Sequence, residues 1–167
     1  MNHKLLILGI LVIIVKVGCS VKADDENHPH NKSSNVEMEL GEETAHSLSE
    51  EQKEKIITFS IDKTDYHNDE FIKMKIKNNS DAEIEFGDET RVETQINNKW
   101  IEVRFTNVGV KDILYRLEPN TDFAQENHIV RYLKAGKYRL VQGISTDGEI
   151  LDYEVYLISQ TFEVSPD

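Results

Sequence analysis

The fold of this chain is decided by the stretch LKAGKYRLVQ, which spans residues 133–142. An Ala-Gly turn opens the stretch, and polar Lys137 and Arg139 then alternate with Tyr138 and Leu140. Side chains two positions apart lie on the same face of a β-strand, because successive side chains point to opposite faces. The stretch therefore predicts a strand that buries Tyr138 and Leu140 on one face.

The same period of two continues in both directions from this strand, across residues 55–167. Turn signals such as Asn97-Asn98 and Asp147-Gly148 separate the short alternating segments, and no segment shows a helical stripe. The predicted strands lie at residues 57–61, 72–76, 84–86, 92–96, 100–105, 113–117, 123–130, 138–142, 156–158 and 162–164. Short strands at this spacing are typical of an antiparallel sandwich or barrel. The predicted fold class is therefore all-β.

A local motif, L-x-x-G-x-Y-x-L at residues 133–140, resembles the tyrosine corner of immunoglobulin-like domains. In those domains the tyrosine hydroxyl bonds back to the preceding corner, and the residue two positions later faces the core. The resemblance places Leu140 where antibody domains have their second cysteine. It also makes Met74 a partner of Leu140 on an earlier strand, and Phe86 the core aromatic side chain.

A longer series of motifs resembles a bacterial Ig-like domain of Bacillus-type secreted and lipid-anchored proteins, over nearly all of residues 56–165. The motifs are Ile84-x-Phe86-Gly87, Trp100-x-x-Val103, Gly136-x-Tyr138-Arg139-Leu140-Val141 and Phe162-x-Val164. The resemblance implies an immunoglobulin-like antiparallel β-sandwich over residues 55–167. It implies no catalytic residues and no cofactor.

The first 18 residues have the composition of a signal peptide. Lys4 precedes eleven residues, Leu5–Val15, without a charge or a polar side chain, and a membrane-spanning helix needs about 20. Val17-Gly18-Cys19 resembles the lipobox of bacterial lipoproteins, which implies a lipoprotein signal peptide at residues 1–18 and lipidation of Cys19. Two alternatives stay open: cleavage after Val21-Lys22-Ala23, which would give a freely secreted protein, and an uncleaved membrane anchor.

Residues 19–54 are polar and acidic, and they have almost no aliphatic periodicity. Such a segment cannot bury enough apolar surface to offset the entropy of ordering, so we expect a disordered acidic tether. Either Ser47 with Glu50 or Ser49 with Gln52 could cap one short helical turn before the domain. The pair His28 and His30 suggests a metal-binding tail, but a solvated linker is the favoured interpretation, because no third ligand follows at suitable spacing.

Charge and cysteine content exclude several classes of function. Acidic residues number 31 against 19 basic ones, for a net charge of −12, so we expect no nucleic-acid binding through a basic patch. The single cysteine excludes a disulfide framework and zinc sites built on cysteine pairs.

The domain lacks the sequence motifs of hydrolases, metalloproteases and phosphate-binding loops, so we expect no enzymatic activity. His67 and His128 are its only histidines, and both are expected to be solvated. Glu83 and Glu85 alternate with Ile84 and Phe86, which predicts a solvated carboxylate face. Trp100 is expected to be a core or rim residue. Arg139 and Arg116 are expected to be partners on the outer sheet faces.

One interstrand loop is rich in carboxylates. Asp62, Asp65, Asp69 and Glu70 lie between the first two predicted strands, which allows either a calcium site or a solvated acidic turn. The solvated turn is the favoured interpretation, and no metal is expected. Because loops on a rigid scaffold often carry specificity, we expect partner contacts at Thr64–Glu70, through Asp65, Asp69 and Glu70, and at Asp88–Arg91.

The sequence as a whole predicts an extracytoplasmic binding or accessory module without catalytic activity. The membrane, through lipid on Cys19, and a protein or other envelope component are its expected partners. Two alternatives stay open: an envelope metal-binding or sensor lipoprotein, and a small hydrolase or inhibitor with an unrecognised site.

Overall fold

The computed structural model describes residues 36–106, 108, 113–146 and 155–165. The chain divides into two units, residues 1–32 and residues 33–167, and every described residue belongs to the second unit. The predicted signal peptide, the lipidation site Cys19 and the histidine pair His28 and His30 therefore lie outside the described residues.

The described residues form twelve β-strands, one short α-helix and one 3₁₀ turn. The strands are β1 (Met38–Thr44), β2 (Ile57–Ile61), β3 (Asp65–His67), β4 (Ile72–Asn78), β5 (Ile84–Gly87), β6 (Thr90–Ile96), β7 (Lys99–Phe105), β8 (Leu114–Leu117), β9 (Asp122–Asn127), β10 (Gly136–Ile144), β11 (Val155–Ile158) and β12 (Phe162–Ser165). The helix α1 is Glu50–Lys53, and the 3₁₀ turn is Ile129–Tyr132. No helix in this part of the chain has the length and apolar character of a membrane span.

The strands build a sandwich around one apolar core, as the sequence predicts. The large sheet has the order β1-β7-β6-β10-β12-β3, and β11 pairs with the second half of β10. A three-stranded sheet, β2-β4-β9, and a two-stranded sheet, β5-β8, complete the fold. All pairs are antiparallel except β12 with β3. The predicted all-β sandwich is confirmed.

The alternation of residue types produces the core directly. Along β4 every second side chain is buried, and along β10 every residue from Tyr138 to Ile144 is buried, because β10 lies in the middle of the large sheet. Met74, Phe86 and Leu140 all belong to the core cluster, as expected. Asn97 and Asn98, the turn predicted between the strands at residues 92–96 and 100–105, have φ values of 49° and 64°, the conformation of a tight two-residue hairpin between β6 and β7.

The predicted tyrosine corner is present. The Tyr138 hydroxyl donates a hydrogen bond of 2.8 Å to the Lys134 backbone oxygen, while its ring is buried. Gly136 lies under that ring: a Cβ atom at this position would be 3.3 Å from it, closer than most such contacts. The motif therefore fixes the entry into β10 with one partly buried hydrogen bond and one close contact.

The prediction of a disordered tether is wrong for the second half of residues 19–54. Residues of the segment 19–54 form strand β1, which pairs with β7, and helix α1, which is capped by the Ser49 hydroxyl at 3.3 Å from the Gln52 N–H. The Gln52 side chain also exchanges two hydrogen bonds of 2.7 Å with the Ile158 backbone. An edge strand gains its hydrogen bonds from its neighbour, so it needs no apolar alternation of its own. We call Glu37–Ser49 the N-terminal arm.

Two further boundaries differ from the prediction. The strand expected at residues 123–130 ends at Asn127, whose side-chain oxygen accepts a hydrogen bond from the Ile129 N–H and opens the 3₁₀ turn. The carboxylate-rich loop contains the short strand β3, which pairs in parallel with β12. A three-residue strand gives too little sequence pattern to be predicted.

Candidate functional site

An open groove lies where the start of β6 and the end of β7 meet the 3₁₀ turn. Its volume is about 500 Å³. Its lining consists of Asp88, Glu89, Thr90, Arg91, Val92, Glu102, Val103, Arg104, Phe105, Val108, Asn127, Ile129 and Tyr132. This volume falls within the range of about 300–1,000 Å³ that is common for ligand-binding sites. The predicted contact loop Asp88–Arg91 forms part of the rim.

The groove has an apolar floor. Val92 and Val103 are β-sheet partners and are buried, at 1% and 5% exposure. The Phe105 ring contacts the Tyr132 ring, with centroids 6.2 Å apart. Val108 and Tyr132 remain 46% and 36% exposed at the open side. An incoming apolar side chain would therefore bury surface that water now covers.

The rim carries charges of both signs. Arg104 donates two hydrogen bonds to the same Glu102 oxygen, at 2.9 and 2.7 Å. Asp88 accepts hydrogen bonds from the Tyr115 hydroxyl at 3.2 Å and from the Gln125 amide at 3.3 Å. Burial and the neighbouring Asp88 carboxylate together raise the pKa of Tyr115, so its hydroxyl stays protonated and donates.

A second cluster of ionisable groups lies on the opposite face of β6. Glu93 is 1% exposed and accepts a hydrogen bond of 2.6 Å from the Arg139 Nε atom, while the His46 Nδ1 atom lies 2.6 Å from its other oxygen. Arg139 also donates to the His46 backbone oxygen at 3.0 Å and stacks 4.2 Å from the Trp100 ring centroid. The N-terminal arm thus covers a buried ion pair.

The surroundings of Glu93 keep it charged. Burial by itself raises the pKa of this carboxyl, but the hydrogen bonds from His46 and Arg139 outweigh burial, and the pKa lies below its ordinary value. Arg139 is on the outer sheet face, as expected, but the arm covers it. Trp100, half-buried beside it, is a rim residue.

The carboxylate-rich loop is mostly engaged in contacts within the domain. Asp62 accepts hydrogen bonds from the Tyr66 hydroxyl at 2.6 Å and the Lys73 N–H at 2.9 Å, which outweigh burial and lower its pKa. The Glu70 carboxylate pairs with Lys63 and accepts from the His67 N–H, and these contacts lower its pKa.

The predicted contact residues of this loop divide between two environments. Asp65 and Asp69 are exposed, whereas Glu70 is tied into the loop. The loop does not line the groove. Among the described residues no three His, Cys, Asp or Glu side chains are grouped as a metal site would require. Binding through Asp65, Asp69 and Glu70 stays a prediction.

The expected solvated face of β5 is wrong for Glu85. This residue is 5% exposed, and its Oε1 atom lies 2.8 Å from the Arg116 guanidinium, while its Oε2 atom has no hydrogen-bond partner among the residues that the structure describes. Its backbone exchanges hydrogen bonds with Ser145 at 2.9 and 2.8 Å, which brings β5 against the end of β10. Because other parts of the domain contact β5 on both faces, the face that the alternation predicts to be solvated is buried at Glu85. His67 and His128 are both exposed, as expected.

The sandwich, the tyrosine corner and the central β10 define an immunoglobulin-like domain. The chain belongs to the bacterial Ig-like domain family, whose family model matches residues 52–163. The N-terminal arm lies outside the matched residues. No curated protein sequence matches the chain.

Two solved β-glucosidase structures are weakly similar to the chain. A Listeria innocua β-glucosidase mutant in complex with laminaribiose is 15% identical, with a TM-score of 0.31, and the match covers 65% of this chain and 16% of that one. A β-glucosidase from intestinal bacteria, involved in saponin metabolism, is 14% identical, with a TM-score of 0.32, and covers 78% and 16%. The chain thus spans about one sixth of the length of these proteins.

Proposed function

We propose that this protein is a lipid-anchored, extracytoplasmic binding or accessory module that works by surface contact and has no catalytic activity. Membership of the bacterial Ig-like family supports a binding or accessory role. The single observation that carries the proposal is the open groove, because it offers an apolar floor and a charged rim on a rigid sheet.

The contacts of the ionisable groups support the absence of catalysis. Perturbed pKa values in a cleft often mark catalytic groups, because catalysis requires tuned acids and bases. Here Glu93 and Asp62 have lowered pKa values, but their partners belong to the N-terminal arm and to neighbouring strands. Their charges therefore stabilise the fold, whereas a catalytic group would face a substrate.

Anchoring is proposed from the sequence pattern at Cys19. The eleven-residue apolar run ends close to Val17-Gly18-Cys19, as in a lipoprotein signal. Two or more acyl chains give stable membrane attachment, whereas one chain alone is marginal. The N-terminal arm begins at Glu37, so residues 20–36 would connect the lipid to the domain.

Cell fractionation with detergent phase separation tests the anchor. We expect the wild-type protein in the detergent phase, and Cys19→Ser in the culture medium or retained as the unprocessed precursor. A wild-type protein that is soluble and begins at Asp24 would establish ordinary secretion in place of lipid anchoring.

Crosslinking in intact cells tests the mode of action. The full chain should form a specific crosslinked species, and association should weaken as salt rises, because the protein is strongly acidic. A variant with Asp65→Asn, Asp69→Asn and Glu70→Gln tests the predicted loop: an unchanged crosslink would exclude that loop. Turnover of any envelope substrate by the purified protein would contradict the non-catalytic role.

A further inference from the structure

The face of the large sheet that contains the groove has more exposed apolar surface than the groove alone. Leu40 pairs with Val103 in the sheet register and therefore lies on the same face, yet it is 54% exposed. Val108 and Tyr132 add exposed apolar surface on the groove wall. Single exposed apolar residues are ordinary, but a group of them beside a groove indicates a contact surface.

The arginines around the groove are engaged elsewhere, whereas two carboxylates at its rim can meet a ligand. Arg104 is already paired with Glu102 at 2.7 Å. Arg91 is turned towards the other sheet face, where its guanidinium lies 5.6 Å from the Tyr156 ring centroid. The rim carboxylates left to meet a ligand are Asp88, which has one oxygen hydrogen-bonded, and the exposed Glu89.

These charges select among possible occupants. A second copy would carry the same net charge of −12, and an anionic lipid surface would also repel the rim. A cationic ligand would gain attraction from Asp88 and Glu89 and from the whole acidic domain. An apolar group is needed as well, because the floor is formed by Val103 and Phe105.

We propose that the groove binds a short basic peptide segment of a partner protein, with an apolar side chain in the groove and Lys or Arg at Asp88 and Glu89. This inference rests on the proposed binding function and specifies its ligand. Apolar burial would supply most of the affinity, and the carboxylates would supply selectivity and speed of association.

Fluorescence anisotropy with the purified full chain tests the ligand chemistry. The probes are three labelled peptides: GKLFKG, the charge-reversed GELFEG, and GKSSKG without apolar groups. We expect GKLFKG to bind about tenfold more tightly than either control, because the loss of one good contact lowers the affinity by about that factor. Equal binding of GELFEG would overturn the charge assignment, and equal binding of GKSSKG would overturn the role of the floor.

A matched pair of variants tests the location. Val108→Lys places a charge in the groove, and Leu48→Lys makes the same change at a similarly exposed residue outside it, 49% against 46% exposed. We expect Val108→Lys to weaken GKLFKG binding about tenfold and Leu48→Lys to leave it unchanged. Equal effects of the two variants would overturn the groove assignment.

The remaining occupants are distinguished by two further measurements. Sedimentation that shows a dimer disrupted by Val108→Lys would assign the groove to a second copy. Binding to phosphatidylglycerol vesicles that is lost in Val108→Lys would assign it to a lipid surface. Either result overturns the peptide proposal. A cellular crosslink that Val108→Lys does not change would leave the proposed binding function intact and remove only this inference.

Discussion

The two faces of the large sheet around β6 differ in an unexpected way. The outer face holds charged side chains that are buried, with Glu93 at 1% and Arg139 at 8% exposure. The inner face holds the apolar side chains of Val92 and Val103, and at the groove beside them Val108, which follows β7, and Tyr132 of the 3₁₀ turn are 46% and 36% exposed. On both faces, the neighbouring segment that covers a side chain thus decides whether that side chain is buried.

The cause is the N-terminal arm. It crosses the outer face, where His46 contacts Glu93 and its ring centroid lies 4.5 Å from that of Tyr156, with the two rings tilted. A buried charge is tolerated only when it is paired and hydrogen-bonded, and Arg139 and His46 meet that requirement. At the groove, in contrast, the described residues leave apolar surface open. The comparison indicates that the arm stabilises the domain and that the groove is available for binding.

The largest effect is expected from breaking the buried ion pair. Glu93→Ala leaves Arg139 buried without its carboxylate, so we expect a loss of about 3–5 kcal/mol in the free energy of unfolding. Glu102→Ala is the matched control on β7, because its pair with Arg104 is near the surface, is screened by solvent and should contribute far less to the free energy of unfolding. Denaturant unfolding curves measure both. Equal losses would mean that the arm does not isolate Glu93 from solvent.

A slightly smaller effect is expected from the core. Leu140 has 0% exposure, so Leu140→Ala should cost about 2–5 kcal/mol by opening a cavity. Val108→Ala, at the open groove, should change the free energy of unfolding by about 0.5 kcal/mol or less. A neutral Leu140→Ala would show that the register of β10 is wrong. A large loss for Val108→Ala would show that the groove wall is part of the core.

The smallest effect is a pH dependence. Because the folded pKa of Glu93 is below the ordinary value of 4.5, its contribution to stability is complete above that pH and is lost as pH falls through the folded pKa. One such group changes the free energy of unfolding by at most about 1.4 kcal/mol per pH unit. We therefore expect the free energy of unfolding to fall more steeply for the wild type than for Glu93→Gln as the pH is lowered from about 5 to 2.5. Unfolding curves recorded across this range measure both slopes. Identical slopes would contradict the assignment.

Local patterns predicted much of the fold because they depend on few residues. The alternation around Tyr138 predicted the buried face of β10, and the Asn97-Asn98 turn predicted the β6–β7 hairpin. The groove and the His46 contact could not be predicted in this way, since each joins residues far apart in sequence. A weak signal existed for Glu93: a carboxylate and Arg139 both occupy outward positions on strands that could be neighbours.

The sequence by itself determined the all-β class, the core residues and the tyrosine corner, because strand period and turn chemistry act over a few neighbouring residues. Only the tertiary structure decided that the acidic segment before the domain supplies strand β1, and that Glu93 and Glu85 are buried. The physical reason is that burial and edge pairing are properties of the neighbouring segment. An outward-facing carboxylate is exposed until another part of the chain covers it, and alternation along one strand carries no information about that cover.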